Sequence, residues 1–247
     1  MTSNLQALHA PAVLSRANLL IRPAPLAFAP EIEDAIATHW QEERRRNPHL
    51  WNGSAFLFDR IAFDPDSRTL AAEGAATDFA TFLHWRVNRD SYGLTHLFPV
   101  GAIVTADRKL VIGRMSAKTA NPGRLYPPSG SFDAADLREN PDGSLTLDPD
   151  ANILREIGEE IGIDSARLAA APDLLLFPSR ARAHALVRVL HLPEPSADVA
   201  PAMRRHLADD PHGELDDVLF VGLAERLDPA AAPPHVNELL AYLEANS

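Results

Sequence analysis

The sequence predicts an α/β protein, because segments with the apolar pattern of strands alternate along the chain with amphipathic helices. Leu97–Thr105 and Lys109–Met115 are apolar and β-prone, which is typical of two neighbouring strands. The clearest helix signal covers Pro149–Ile161, where Asp148 is a suitable N-cap and proline takes the first helical position. Gly162 then provides the residue type that ends helices in a left-handed conformation.

The segments after this helix continue the alternation. Three further strands and a C-terminal amphipathic helix are predicted, over Leu174–Phe177, Ala183–Leu192, Val218–Gly222 and His235–Glu244. The proline- and alanine-rich stretches Pro193–Pro201 and Asp228–Pro234 predict loops. Ten histidines show no metal-ligand spacing, and His184 and His191 lie in a predicted strand, where a structural role is expected.

The first 95 residues predict a smaller α+β extension. Ala17–Arg22 and Ala55–Phe63 are strand candidates, and Pro30–Arg46 is predicted to be a helix. Its basic end, Arg44-Arg45-Arg46, complements the helix dipole and is most simply a solvated helix terminus.

Composition limits the classes of function. A chain of 247 residues with 46% apolar content can bury a sizeable core, and no apolar run reaches the roughly 20 residues of a membrane span. The absence of cysteine excludes disulfides and thiolate metal sites and fits a cytoplasmic protein without a secretory signal. A net charge of −11 argues against a polymeric nucleic acid as partner. A small nucleotide-derived substrate remains compatible, and the choice between monomer and homodimer is left open.

Three carboxylates are predicted to share one arc of the Pro149–Ile161 helix. Glu156, Glu159 and Glu160 stand at i, i+3 and i+4, beside an apolar stripe formed by Ile153, Leu154, Ile157 and Ile161. Like charges at this spacing repel, so a cation is the natural compensation, and hard oxygen ligands suit Mg²⁺ or Mn²⁺. Arg155 is placed to pair with Glu159. The alternative is an ordinary solvated acidic face.

The run Arg155–Ile163, REIGEEIGI, resembles the core of the Nudix box, Arg-Glu-apolar-x-Glu-Glu-x-Gly-apolar. Upstream, Tyr126–Phe132 (YPPSGSF) looks like the Pro-Gly-Gly turn that opens the box, with Gly130 at its first glycine. There are three departures: Asp136 stands where the family has a glutamate, Ser129 replaces a glycine of the turn, and the spacer before Arg155 is about ten residues longer. Within that spacer, Asn140–Gly143 (NPDG) predicts a turn, so the extra residues are expected to form a surface excursion next to the site.

The resemblance implies a fold and a division of the chain. Residues 96–247 resemble a complete Nudix domain, a mixed β-sheet sandwiched between helices. Residues 1–95 resemble the N-terminal extension of the larger Nudix proteins that cleave UDP-sugars, on element order and on Trp51-Asn52-Gly53 before a strand.

The resemblance also implies roles. A Mg²⁺-dependent (or Mn²⁺-dependent) pyrophosphohydrolase would bind metal through Glu156, Glu159, Glu160 and the carbonyl of Ser129. Catalytic candidates are Glu159, Arg155, and Glu160 or Glu214 as the group that accepts the proton of the attacking water. Glu214 belongs to an acidic loop in which Asp210 and Asp217 are weaker candidates. The predicted substrate-binding residues are Arg114, Lys118, Arg124 and Tyr126, with Phe132 as an alternative for stacking on a base.

The expected substrate is a nucleoside diphosphate linked to another group, first an NDP-sugar such as UDP-glucose. ADP-ribose is the next candidate, because Pro178 lies fifteen residues past the box, near a proline of ADP-ribose-cleaving members. Coenzyme A is disfavoured, since no match to that subgroup's signature precedes the box. Two other classes remain: a non-catalytic Nudix-fold sensor or scaffold, and an RNA-decapping enzyme, which the net charge disfavours.

Overall fold

Twelve strands and five helices make up the described part of the computed structural model, which comprises residues 5, 8, 10–178, 182–210 and 213–246. The strands are β1 Ala12–Leu14, β2 Arg16–Arg22, β3 Ser54–Asp64, β4 Thr69–Asp78, β5 His96–Thr105, β6 Lys109–Met115, β7 Leu125–Tyr126, β8 Leu137–Glu139, β9 Leu145–Leu147, β10 Ala169–Phe177, β11 Ala183–Leu192 and β12 Leu215–Gly222. The helices are α1 Pro30–Arg46, α2 Phe79–Val87, α3 Pro149–Ile161, α4 Ser196–Asp209 and α5 Pro234–Ala245.

The larger sheet has the order β1-β10-β11-β5-β6-β12, and β7 pairs with β6. It is mixed, because β11 and β5 run parallel whereas the other pairs are antiparallel. Side chains alternate between its faces. On β5, Val100 packs with Val236 and Leu240 of α5, and Ile103 packs on the opposite face with Ile157 of α3. The predicted mixed sheet between helices is therefore confirmed.

The smaller sheet has the order β3-β4-β2-β9-β8 and combines strands from distant parts of the chain. Its strands β8 and β9 come from the long spacer upstream of Arg155, and β9 pairs with β2. The predicted turn at Asn140–Gly143 is present, since the Gly143 N–H donates to the Asn140 carbonyl at 2.8 Å. The expectation that the spacer is only a surface excursion was wrong, because Leu145 and Leu147 pack into the core between the sheets.

The predicted parts 1–95 and 96–247 exchange strands. The N-terminal strand β1 pairs with β10 in the larger sheet, while β8 and β9 join the smaller one. One apolar cluster connects the two sheets, with Leu19 and Phe58 on one side and Leu97 and Leu186 on the other. The division at residue 95 stays a prediction, and the packing shows that both parts contribute to one core.

The loop predicted over Pro193–Pro201 was wrong, because helix α4 begins at Ser196. Asp107, in the β5–β6 turn, accepts hydrogen bonds from the Ser196 N–H and hydroxyl, both at 2.7 Å. These bonds hold the pKa of the Asp107 carboxyl well below its ordinary value. A carboxylate that is distant in sequence thus caps this helix, whose Val199 and Met203 are buried.

Within the described residues, no helix is both long enough and apolar enough to cross a membrane.

Candidate metal centre and adjoining cleft

Helix α3 has the predicted bounds and caps. The Asp148 carboxylate accepts hydrogen bonds from the N–H groups of Asp150 and Ala151, both at 3.1 Å, and Gly162 ends the helix with a φ of 68°. Ile153, Ile157 and Ile161 are buried against β5, as predicted, and they fix the rotation of the helix. The fourth residue of the predicted stripe is a correction: Leu154 is 37% exposed.

That rotation places two of the three glutamates at the edge of the core. The side chain of Glu156 is 12% exposed, Glu160 is 7% exposed, and the side chain of Glu159 is 61% exposed and points outward. Burial raises the pKa of Glu156 to about 7, and burial together with the charges of Glu156 and Glu214 raises the pKa of Glu160 well above its ordinary value. Without a cation, the two buried carboxylates therefore disfavour simultaneous ionisation.

The Ser129–Gly130 turn lies directly over these two carboxylates. It is held against β5 by the Gly101 N–H, which donates to the Pro128 carbonyl at 2.8 Å. The Ser129 N–H donates to Oε2 of Glu160 at 3.2 Å. Gly130 is so close to the Glu156 carboxylate that a Cβ at this position would overlap with it. The sequence-predicted opening of the box and the helix thus meet at one point.

This contact gives the first prediction. Gly130→Ala is expected to displace the Glu156 carboxylate and lower kcat/KM by roughly 10- to 100-fold, since displacements of about 1 Å at a reacting centre have effects of this size. Gly158→Ala on α3 is the matched control, because a Cβ there meets nothing within 4 Å. Steady-state kinetics on both variants test the contact, and equal activities would contradict it.

Arg155 connects helix α3 to Asp136, the residue that stands where the Nudix box has its first glutamate. Its Nη2 lies 3.2 Å from Oδ1 of Asp136 and 3.0 Å from Oε1 of Glu156, and its Nη1 lies 2.9 Å from Oε2 of Glu159. The Asp136 side chain is only 2% exposed and also accepts a hydrogen bond from Asn152 Nδ2 at 2.7 Å. Asp136 therefore orients Arg155, which in turn holds two glutamates of the box.

The carboxylate oxygens of this site are ligands that suit a hard divalent cation, although they do not converge on one point. Within the described residues, no three acidic or histidine side chains form a group that could hold a metal ion. Glu159 faces Arg155, and the exposed Glu214 is close enough for its charge to raise the pKa values of Glu156 and Glu160. The excess of carboxylate oxygens is nevertheless the chemistry that Mg²⁺ or Mn²⁺ compensates.

Several other predicted residues are engaged elsewhere. Arg114 Nε lies 2.5 Å from Asp216 Oδ1, and Arg124 Nη1 donates to the Ala230 carbonyl at 2.6 Å. Asp217 is 3.7 Å from Arg114, and Asp210 accepts a hydrogen bond from the Gly213 N–H. The Lys118 ammonium lies beside Gly213. Arg114 and Arg124 thus bind protein groups outside the helix that carries the carboxylates, whereas Lys118 lies next to the loop that holds Glu214.

A cleft of about 1290 Å³ borders the turn on which the carboxylates depend. Tyr126 and Ser129 are the two predicted site residues that line it, together with Gly130 and Ser131. Glu156, Glu159 and Glu160 do not line the cleft. The Ser129–Gly130 turn, which does, therefore connects the cleft to these carboxylates. The remainder combines apolar residues with aromatic, basic and acidic side chains, including Phe79, Phe82, Phe98, Arg86, Arg89, Arg182, Asp90 and Glu238. The buried Phe132 is part of the core between the sheets and not of the cleft.

The basic residues of the cleft were not predicted. Arg86 lies in the last turn of α2 and Arg89 follows it, in a segment for which the sequence reading assigned no element. The signal that could have found them is the Phe79–Arg89 run, FATFLHWRVNR, where aromatic and basic residues recur at helical spacing.

Three histidines also line the cleft, and each is held neutral. Burial and the charges of Arg89 and Arg86 lower the pKa of His96 to about 3, while burial lowers the pKa values of His184 and His235 to about 4. A base whose pKa is depressed on folding binds fewer protons in the folded state than in the unfolded state. The contribution of each histidine to the free energy of unfolding is therefore fully present above about pH 6.5 and decreases as the pH falls.

The second prediction follows for His96. Between pH 6 and pH 5 its contribution to the free energy of unfolding should fall by about 1 kcal/mol. Glu156 and Glu160, whose pKa values are raised, have the opposite dependence, so the difference between wild type and His96→Gln isolates the histidine. Urea unfolding at both pH values measures it, and an unchanged pH dependence in the variant would show that His96 is charged in the native state.

No family model matches the sequence, and no curated protein matches it. Solved structures similar to this chain include an Ap4A hydrolase from C. elegans, with 17% identity and a TM-score of 0.41 over 60% of this chain and 94% of that chain. A Nudix hydrolase from Nitrosomonas europaea has 10% identity and a TM-score of 0.40, over 62% and 89%. A bifunctional NMN adenylyltransferase/ADP ribose pyrophosphatase from Francisella tularensis, complexed with AMP and a Mn ion, has 14% identity and a TM-score of 0.39, over 62% and 42%.

Proposed function

We propose that this protein is a Nudix hydrolase that cleaves a diphosphate bond with the help of Mg²⁺ or Mn²⁺. One observation carries the proposal: Glu156 and Glu160 of the REIGEEIGI run are buried side by side beneath the Ser129–Gly130 turn. The acidic-face alternative does not explain this burial, because a solvated glutamate would not accept a buried position and a raised pKa.

The residues that would hold the cation are Glu156, Glu159 and Glu160, with the Ser129 carbonyl as a further oxygen. When bound, it neutralises charge on the diphosphate and lowers the pKa of the attacking water. Arg155, anchored by Asp136, fixes the direction of the glutamates. Glu160 and Glu214 are the carboxylates available to take the proton of the water as the bond between phosphorus and the bridging oxygen breaks.

The substrate we propose is a nucleoside diphosphate linked to a sugar. A cleft of about 1290 Å³ is large enough for such a molecule, since ligand pockets typically measure about 300–1,000 Å³. Its aromatic side chains offer stacking surfaces, and Tyr126 lies at the ring of His235, with centroids 6.3 Å apart. A specific observation favours ADP-ribose as the second candidate: Pro178, the proline fifteen residues after the box, lines this cleft.

The deciding experiment is a product-release assay across UDP-glucose, ADP-ribose, a dinucleoside tetraphosphate and capped RNA, with Mg²⁺, Mn²⁺ or EDTA. We expect release of a nucleoside monophosphate from UDP-glucose or ADP-ribose that disappears in EDTA. Absence of turnover on every substrate, with nucleotide binding retained, would favour the sensor class instead. Turnover of capped RNA alone would favour a decapping enzyme.

A further inference from the structure

We propose that Arg86, Arg89 and Arg182 form a subsite for an anionic group on the part of the substrate beyond the scissile diphosphate. This inference rests on the proposed function and adds a substrate class to it. The preferred substrates would be nucleoside diphosphates whose second moiety bears a carboxylate or a phosphate.

The first argument is charge. All three arginines line the same cleft in a chain whose net charge is −11. Arg86 donates from Nη1 to the neutral Asn121 Oδ1 at 3.2 Å, and no carboxylate of the described residues lies within ion-pair distance of it. Arg182 Nε lies 3.8 Å from Asp90 Oδ1, a long contact to a side chain that is 97% exposed. Asp90 and Glu238 are the carboxylates among the described residues that line the cleft, so the three arginines outnumber them and leave the lining with a net positive charge.

The second argument is burial. Arg86 and Arg89 are half-buried, and the Arg89 guanidinium stacks 5.4 Å from the Trp85 ring centre. Loss of water lowers the pKa of both arginines, and the charge of Arg86 lowers the pKa of Arg89 further. Desolvating neighbouring cations is costly, and an anion between them would offset that cost. The nearby His96 and His184 are held neutral, so they add no positive charge to that of the arginines.

The third argument is distance. His96 marks the arginine end of the cleft. Its backbone N–H donates to the Arg182 carbonyl at 2.8 Å, and the centre of its ring lies 6.0 Å from that of Trp85. Val100, four residues along β5, forms a bridge with Ser129 at the metal end. Four residues of strand span about 13 Å. The backbone at the arginine end therefore lies about 13 Å from the turn, a separation that places the second moiety of the substrate, and not the diphosphate, nearest to Arg89 and Arg182.

Matched nucleotides separate charge from shape. UDP-glucuronate differs from UDP-glucose by a carboxylate on the sugar, and ADP-ribose 1″-phosphate differs from ADP-ribose by a phosphate on the ribose beyond the diphosphate. With full-length protein and Mg²⁺, we expect kcat/KM to favour the charged member of at least one pair by about 10- to 100-fold, as charge-assisted hydrogen bonds do. The pair that responds identifies the anion as carboxylate or phosphate. Equal rates within both pairs would overturn the inference and leave the proposed hydrolase in place.

Variants assign the preference to the arginines. Arg89→Gln should remove it by raising KM for the charged nucleotide at least about 10-fold, with the neutral one unaffected. Arg182→Gln repeats the test if Arg89→Gln unfolds, as judged by circular dichroism. Arg60→Gln is the matched control, because Arg60 is exposed and pairs with Glu73 on the smaller sheet. Equal losses on both nucleotides, or the same loss in the control, would refute the subsite.

Calorimetric titration of the four nucleotides in EDTA provides a readout without catalysis. Tighter binding of a charged member, lost in Arg89→Gln, would support the subsite even if no nucleotide is hydrolysed, in which case the hydrolase proposal alone would fail. Equal binding of all four would overturn the subsite irrespective of activity.

Discussion

Glu160→Gln is expected to lower kcat by about 1,000-fold, equivalent to roughly 4 kcal/mol of transition-state stabilisation. The reason is that glutamine keeps the shape of the side chain and removes the charge that binds the cation. The fold should survive, because the Ser129 N–H can still donate to the amide oxygen of glutamine, and repulsion with Glu156 and Glu214 is relieved. Steady-state kinetics at saturating Mg²⁺, together with a metal titration, measure both effects.

Glu139→Gln is the control for this prediction, since Glu139 is exposed on β8 and carries the same charge outside the site. Its activity should equal that of wild type. Unchanged turnover in Glu160→Gln would mean that the buried carboxylate has no part in catalysis. A fall in melting temperature without metal would instead identify Glu160 as a structural residue.

Ile157→Ala should lower the free energy of unfolding by about 2–5 kcal/mol, the range for truncating fully buried aliphatic side chains. Ile157 is completely buried between α3 and β5, and its Cδ1 lies where a Cβ on Gly101 would be placed. For a chain of this size, the melting temperature shifts by about 2–4 °C for each kcal/mol lost from the free energy of unfolding. The melting temperature of the variant should therefore fall by roughly 4–20 °C.

Leu154→Ala is the matched control on the same helix. Leu154 is 37% exposed, so its truncation should change stability by less than about 0.5 kcal/mol. Urea unfolding of the two variants compares them directly. Equal losses would mean that α3 packs with a different rotation and that the positions of Glu156 and Glu160 must be reassigned.

The features that depend on neighbouring residues were predictable from sequence. Helix α3 has the predicted bounds because both of its caps, Asp148 and Gly162, adjoin it in the chain. The bounds of α1 and β6 are likewise those predicted. Helical periodicity placed Ile157 correctly in the buried stripe of α3. It made that stripe too wide by including Leu154, because periodicity does not show where the neighbouring sheet ends.

The features that depend on distant residues were not predictable. Helix α4 begins where Asp107, nearly ninety residues earlier, accepts two hydrogen bonds from Ser196. The spacer upstream of Arg155 becomes a hairpin because β2 provides its partner. The cleft is formed in the same way, since α2 brings Arg86 toward Tyr126 from a segment that carries no family motif. Local sequence contains none of these pairings.

The pairing of β2 with β9 has a consequence for biosynthesis. Leu19 of β2 is matched with Leu147 of β9, so one edge of β2, whose other edge pairs with β4, lacks its partner until the ribosome has added 128 further residues. At about 5–20 residues per second, this delay is roughly 6–25 s, during which that edge of a strand whose Leu19 and Ile21 are buried in the folded protein is open to other contacts. The nascent N-terminal third is therefore expected to bind chaperones. Folding should be complete only after much of the C-terminal half has left the ribosome.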